Sequence, residues 1–166
     1  MLVGLHQKVQ MPECKVRLAE DKDFKHIFLM LLKFINESPY KEAEVDPEEI
    51  TEMINSFLES PKNQKVLLLA VNEEDKPVGL LAGFLIKHLF NKSKVASELS
   101  WWVEPEYRKS RIGLELLSAF EYWGRKVGAK YISLAALDTS LMDKLARLYK
   151  ARGYTVTEKA FVKEIK

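Results

Sequence analysis

Apolar residues recur along this chain in two periods, and each change of period marks a change of element. The stretch "CKVRLA" (14–19) alternates apolar and polar positions and predicts a first strand. Asp21 then offers a cap for a helix in which Phe24, Ile27, Phe28, Leu31, Leu32 and Ile35 fall on one broad face. Pro39 lies beyond its end. "DPEE" (46–49) starts a second helix, with Asp46 as N-cap, Pro47 at the first helical position and Glu49 three residues after the cap. Ile50, Met53, Ile54 and Phe57 form its buried stripe, and Pro61 ends it.

Two apolar runs follow, "VLLLAV" (66–71) and "VGLLAGFLIKHL" (78–89), joined by the polar turn "NEEDKP". They predict an antiparallel hairpin at the centre of a sheet. "VASELSWWV" (95–103) predicts a fourth strand and "KYISLAAL" (130–137) a fifth. Between them, Leu116, Leu117, Phe120, Trp123 and Val127 predict a helix over 112–127 that Gly128 stops. A last helix spans 141–152, with Gly153 as its stop, and "YTVTEKAFVKEI" is expected to supply one or two closing strands. The order β-α-α-β-β-β-α-β-α-β predicts a mixed α/β architecture in one three-layer domain over residues 1–166.

Composition narrows the class. The chain has 166 residues, 47% hydrophobic and 30% charged, with a net charge of +2. That near-balance argues against a nucleic-acid partner, which asks for a strong basic excess. Cys14 is the single cysteine, so an intramolecular disulfide is excluded and a cysteine-based metal cluster is not expected. The apolar runs are too short to span a bilayer, so no membrane role is expected. "MLVGLHQKVQMPE" lacks the features of a signal peptide, and a cytoplasmic setting is the expectation.

Candidate chemistry concentrates in "SWWVEPEYRKSRIGLELL" (100–117), where a strand runs through a turn rich in cations into a helix. A helix start leaves backbone N–H groups unpaired and favours an anion, and Arg108, Lys109 and Arg111 add charge. On the residues alone, exposed and solvated cations explain the composition slightly better, because a lone glycine with a few cations is a weak motif.

"VEPEYRKSRIG" (103–113) resembles the signature of the GCN5-related N-acetyltransferases, in which a strand ends in V-x-P and runs into R/Q-x-x-G-x-G/A at a helix start. On that match Val103 and Pro105 close the fourth strand, and Arg108, Arg111 and Gly113 take the three signature positions. "LYKARGY" (148–154) resembles the family's "LYEKLGF" segment, and "RKSRIGLELLSAFEYWGRKVGAKYISL" resembles small acetyltransferases encoded by tailed phages. The resemblance implies a central mixed, mostly antiparallel sheet, splayed between strands 4 and 5 and flanked by helices. It implies acetyl-CoA as co-substrate, with its pantetheine arm on the backbone of Trp101 and Val103. Its pyrophosphate would lie on the turn Arg108, Lys109, Ser110, Arg111, Ile112, Gly113 and Leu114. No metal is implied. Family members are often dimers, which makes a homodimer an option.

Arg111 departs from the pattern, since the family usually has glycine there. An arginine is compatible with the site if it keeps a negative φ and turns its side chain outward. Otherwise the chain is a catalytically idle acyl-CoA-binding or protein-interaction module on the same fold. For catalysis, the resemblance implies direct transfer of an acetyl group to a primary amine in a ternary complex, with Tyr149 protonating the departing thiolate. Glu98, a carboxylate within an apolar strand, is the candidate base, acting directly or through water; a structural ion pair explains it equally well. His26 and His88 are weaker candidates. The stretch "ESPYKEAEVDPEEITE" (37–52) is acidic and would suit a cationic acceptor, small molecule or protein, as much as it suits a helix dipole. Trp102, Tyr40 and Phe90 are candidate aromatic walls.

Overall fold

A computed structural model describes residues 14–165. They form β1 (Lys15–Leu18), α1 (Phe24–Glu37), α2 (Pro47–Glu59), β2 (Lys65–Val71), β3 (Pro77–Lys87), β4 (Lys94–Val103), α3 (Ile112–Lys126), β5 (Tyr131–Ser133) and α4 (Met142–Ala151). Single 3-10 turns precede α1 (Asp21–Asp23) and follow β4 (Pro105–Tyr107). The chain divides into two compact units, the first ending at Ala135 and the second beginning at Ala136. Among the described residues no helix is long and apolar enough to cross a membrane.

The first unit is built on a five-stranded sheet in the order β1-β2-β3-β4-β5. All neighbours are antiparallel except β4 and β5, which run parallel. β2 and β3 are buried on both faces, which is why their sequences read as continuous apolar runs. One face packs on α1 and α2 through Ile27, Met30, Ile54, Phe57, Leu69 and Trp102. The other packs on α3 through Val66, Leu81, Ala96, Leu116 and Phe120. These are the three layers expected, around a mixed and mostly antiparallel sheet.

Local signals act largely as read. Asp46 accepts the N–H of Glu48 at 2.8 Å and caps α2. Before α1, the cap is not Asp21. Glu20 and Asp23 form a capping box, and Arg17 grips the Asp23 carboxylate through both terminal nitrogens, at 2.7 and 2.9 Å.

β4 carries an irregularity that sets which of its groups face which side. Glu98 lies opposite Gly83 and Ser100 opposite Ala82, so Leu99 is an extra residue in the ladder. Simple alternation would put Glu98, Ser100 and Trp102 on one face; the bulge places Glu98 on the face opposite to Ser100. It also reverses which backbone groups point where. Before the bulge the Lys94 carbonyl faces β5, accepting from Lys130 N–H at 2.9 Å; after it, Glu104 N–H faces β3, donating to Val78 O at 2.9 Å. Both are even positions, so beyond the bulge it is the backbone of residues 101 and 103 that turns to the β5 side.

The second unit holds α4, which closes at Gly153 in the left-handed region, φ +88°. The closing strands expected at 154–165 are absent: this segment has no strand, and Val156, Phe161, Val162 and Ile165 are exposed. A strand exists only as a partner in a hydrogen-bonded ladder, and alternation along the chain does not supply the partner. β5 is likewise shorter than the 130–137 expected, because its ladder to β4 ends at Ser133.

Gly83 offers a test of the packing. A Cβ there would overlap Phe120 Cε2 and sit 2.8 Å from Ser97 O, so the ring of α3 occupies the space the glycine leaves. Gly83→Ala is expected to lower stability by about 1–3 kcal/mol, the usual cost of overpacking, read from urea unfolding midpoints.

Candidate functional site

The turn between β4 and α3 presents a row of backbone donors. Arg108 N–H and Ser110 N–H are used within the turn, by Pro105 O at 3.3 Å and Tyr107 O at 3.0 Å. Ser110 Oγ donates to Tyr107 O at 2.6 Å and accepts Ile112 N–H at 3.3 Å. Among the described residues, no partner meets the N–H groups of Lys109, Arg111, Gly113 and Leu114. Four donors at one helix start, with α3 running 15 residues behind them, suit a diphosphate. Arg111 sits at φ −83°, ψ −2°, with its side chain exposed, so the backbone needs no glycine here. Gly113 has room for a methyl group: a Cβ would meet Trp101 Cζ2 at 3.4 Å and Val103 Cγ2 at 3.8 Å, ordinary contacts.

The three cations of the turn divide. Lys109 and Arg111 are exposed. Arg108 folds back: Nε donates to Val103 O at 2.9 Å, a terminal nitrogen meets Glu37 at 2.9 Å, and the guanidinium stacks 4.5 Å from the Trp102 ring centre. One helical turn before Glu37, Lys33 pairs with Glu104 at 2.8 Å. The end of α1 is thus tied to the turn at two points. Sequence reading missed this role for Glu37 and Lys33, although their four-residue spacing places them on one helix face.

β4 and β5 pair only over Val95–Ser97 against Tyr131–Ser133. Beyond Ser97 the two strands part, and the β5 side of β4 from Glu98 to Val103 carries no ladder. Glu98 stands at the point of parting, half-buried, and its carboxylate accepts the N–H of Ala135 at 3.2 Å. Burial pushes this carboxyl up to about 7, against the lowering effect of that one hydrogen bond. No ion pair meets Glu98 among the described residues.

The remaining candidates sit on other elements. Tyr149 belongs to the second unit, on α4, where its ring lies 5.8 Å from that of Tyr154 and its carbonyl accepts Tyr154 N–H at 3.0 Å. His88 and Phe90 lie at the β3–β4 turn, at the far end of β4 from Trp102. His26 is on α1, and Tyr40, Glu42 and Glu44 are exposed in the α1–α2 connection. No group of three or more metal-ligating side chains occurs among the described residues.

The fold and this turn define an acetyltransferase-type α/β domain. A family model described as "Acetyltransferase (GNAT) family" matches residues 28–154, and the chain belongs to that family. Solved structures agree in fold at low identity. The aminoglycoside acetyltransferase AAC(6')-Iy, in complex with a bisubstrate analog, CoA-S-monomethyl-acetylneamine, is 13% identical, with a TM-score of 0.73 over 93% of this chain and 99% of that one. An aminoglycoside acetyltransferase from an uncultured soil metagenomic sample is 18% identical, with a TM-score of 0.69 over 93% and 99%. A transcriptional regulator from Bacillus halodurans C-125 is 16% identical, with a TM-score of 0.75 over 92% and 100%. No curated protein matches the chain.

The elevated Glu98 carboxyl has a thermodynamic signature. Its folded value lies above the ordinary 4.5, so the native state holds this proton more tightly than the unfolded chain. Destabilisation by Glu98 is therefore absent below about 4.5, grows as pH rises, and is complete above about 7. Glu98→Gln is expected to raise the melting temperature at pH 8 relative to the parent and leave it unchanged at pH 4. Equal shifts at both pH values would contradict a buried, proton-holding Glu98.

Proposed function

We propose that this protein is an acetyl-CoA-dependent N-acetyltransferase that transfers an acetyl group to a primary amine by direct attack in a ternary complex, with residues 1–166 acting as one domain in the cytoplasm. The observation that carries this reading is the set of open N–H groups at Lys109, Arg111, Gly113 and Leu114 on a backbone that Arg111 does not distort. These donors would hold the pyrophosphate, with Lys109 and Arg111 adding charge from outside. Val103 N–H, turned to the open side of β4, would bond the pantetheine arm, with Trp101 beside it as the family resemblance implies. When bound, acetyl-CoA supplies the activated acetyl group.

Glu98 serves as the base. At the mouth of the parted strands, a carboxyl that titrates near neutrality can take a proton from an ammonium acceptor, directly or through water. Tyr149 is assigned as the acid for the thiolate, on the match of "LYKARGY" to the family segment alone. The two aminoglycoside acetyltransferases among the structural relatives make aminoglycosides the first acceptors to try, and exposed Glu42 and Glu44 suit a polycationic amine.

Calorimetric titration with acetyl-CoA, followed by acetylation of an amine panel, tests the reading. Binding with turnover supports it; binding without turnover on any amine points to the idle module. Gly113→Ala should bind like the parent, since a methyl group fits, whereas Gly113→Val should lose at least tenfold in affinity while folding normally. Tyr149→Phe should keep binding and lose roughly 10²–10⁴-fold in turnover, the usual yield of general acid catalysis.

A further inference from the structure

At the end of the sheet remote from the cofactor turn, the chain builds an apolar tip on a hydrogen-bonded turn, with cations beside it in sequence and on the neighbouring elements. The β3–β4 turn is held by its own polar groups. His88 N–H donates to Ser93 O at 2.8 Å, Ser93 N–H to Asn91 Oδ1 at 2.8 Å, and Phe90 N–H to His88 Nδ1 at 3.3 Å. His88 also packs on Tyr131 at the start of β5, 5.6 Å between ring centres. These bonds hold Leu89 and Phe90 outward, 85% and 86% exposed. Two adjacent bulky apolar residues fixed in water at a turn that is otherwise polar call for a partner.

The charge around the tip says what kind. Lys87, Lys92 and Lys94 flank it, and Arg125, Lys126 and Lys130 come from the end of α3 and the approach to β5. Residues 84–97 and 123–137 contain no Asp or Glu, in a chain whose net charge is only +2. Among the described residues, neither Lys130, over the Tyr131 ring, nor Lys94, on Val127 O, has a carboxylate partner. The nearest acids in sequence are Asp75 before β3, Glu98 further along β4, Glu121 on α3 and Asp138 beyond β5.

We propose that this face docks on an anionic lipid surface, a peripheral role that apolar runs too short to span a bilayer do not exclude, with Leu89 and Phe90 entering the headgroup–acyl boundary and the nearby cations meeting lipid phosphates. A convex apolar tip suits a fluid interface, which closes around it. A second copy of the chain would bring like charges together, and a nucleic-acid strand would use the aromatic rings while leaving Leu89 in water. β4 spans its 10 residues between this face and the cofactor turn, about 30 Å at the rise of a strand. Docking therefore leaves the turn open, and the proposal stands whether or not the chain acetylates amines.

Co-sedimentation of the full chain with vesicles tests it. Binding is expected to phosphatidylcholine vesicles carrying about a quarter phosphatidylglycerol, weakening steeply as salt rises, and not to phosphatidylcholine alone. The double variant Leu89→Ser/Phe90→Ser should lose at least tenfold in vesicle affinity while keeping its melting temperature and acetyl-CoA binding. Lys92→Ala should cost about fivefold. The proposal is overturned by absence of binding to anionic vesicles, by equal binding to neutral ones, or by a double variant that binds as the parent does. Tighter binding of a single-stranded oligonucleotide through the same residues would also overturn it.

Discussion

The site depends on the parting of β4 from β5 after Ser97. A parallel pair that continued would satisfy the backbone of β4 with the backbone of β5 and leave nothing for a ligand. Because pairing stops, that side of β4 carries no ladder beyond Ser97. The extra residue Leu99 then decides which groups point to that side, turning the backbone of 101 and 103 toward it in place of 102. The same bulge moves Glu98 off the face of Ser100 and sets it where the gap begins. A single inserted residue thus sets both which backbone groups line the gap and the position of the carboxyl.

The cations of the following turn act at two distances. Arg108 is spent on structure: it bonds Val103 O, pairs with Glu37 and covers Trp102, fixing the end of β4 to α1. With Lys33 and Glu104 as a second tie, the donors of the α3 N-terminus are held in place before any ligand arrives. Lys109 and Arg111 stay exposed and contribute charge without determining the backbone. Preorganised N–H groups lose little freedom on binding, which is the general advantage of such a cradle over mobile side chains.

Much of this was legible in the sequence. The strict helical spacing of α1, α2 and α3 and the long apolar runs of β2 and β3 gave the layers directly, because each reports one buried face or two. "VEPEYRKSRIG" located the turn. The bulge was not legible, since "ASELSWWV" alternates acceptably without it, and only pairing with β3 exposes the extra residue. Nor was the folding back of Arg108, which depends on Glu37 lying far off in sequence. The closing strands over 154–165 were over-read for the converse reason: the pattern was present and the ladder was not.

The most direct test of the account watches the four donors themselves. In an amide ¹H–¹⁵N titration with coenzyme A, the N–H signals of Lys109, Arg111, Gly113 and Leu114 should show the largest downfield shifts. Those of Arg108 and Ser110, already bonded within the turn, should move much less. Binding of coenzyme A with these four signals unmoved would place the pyrophosphate elsewhere and contradict the account.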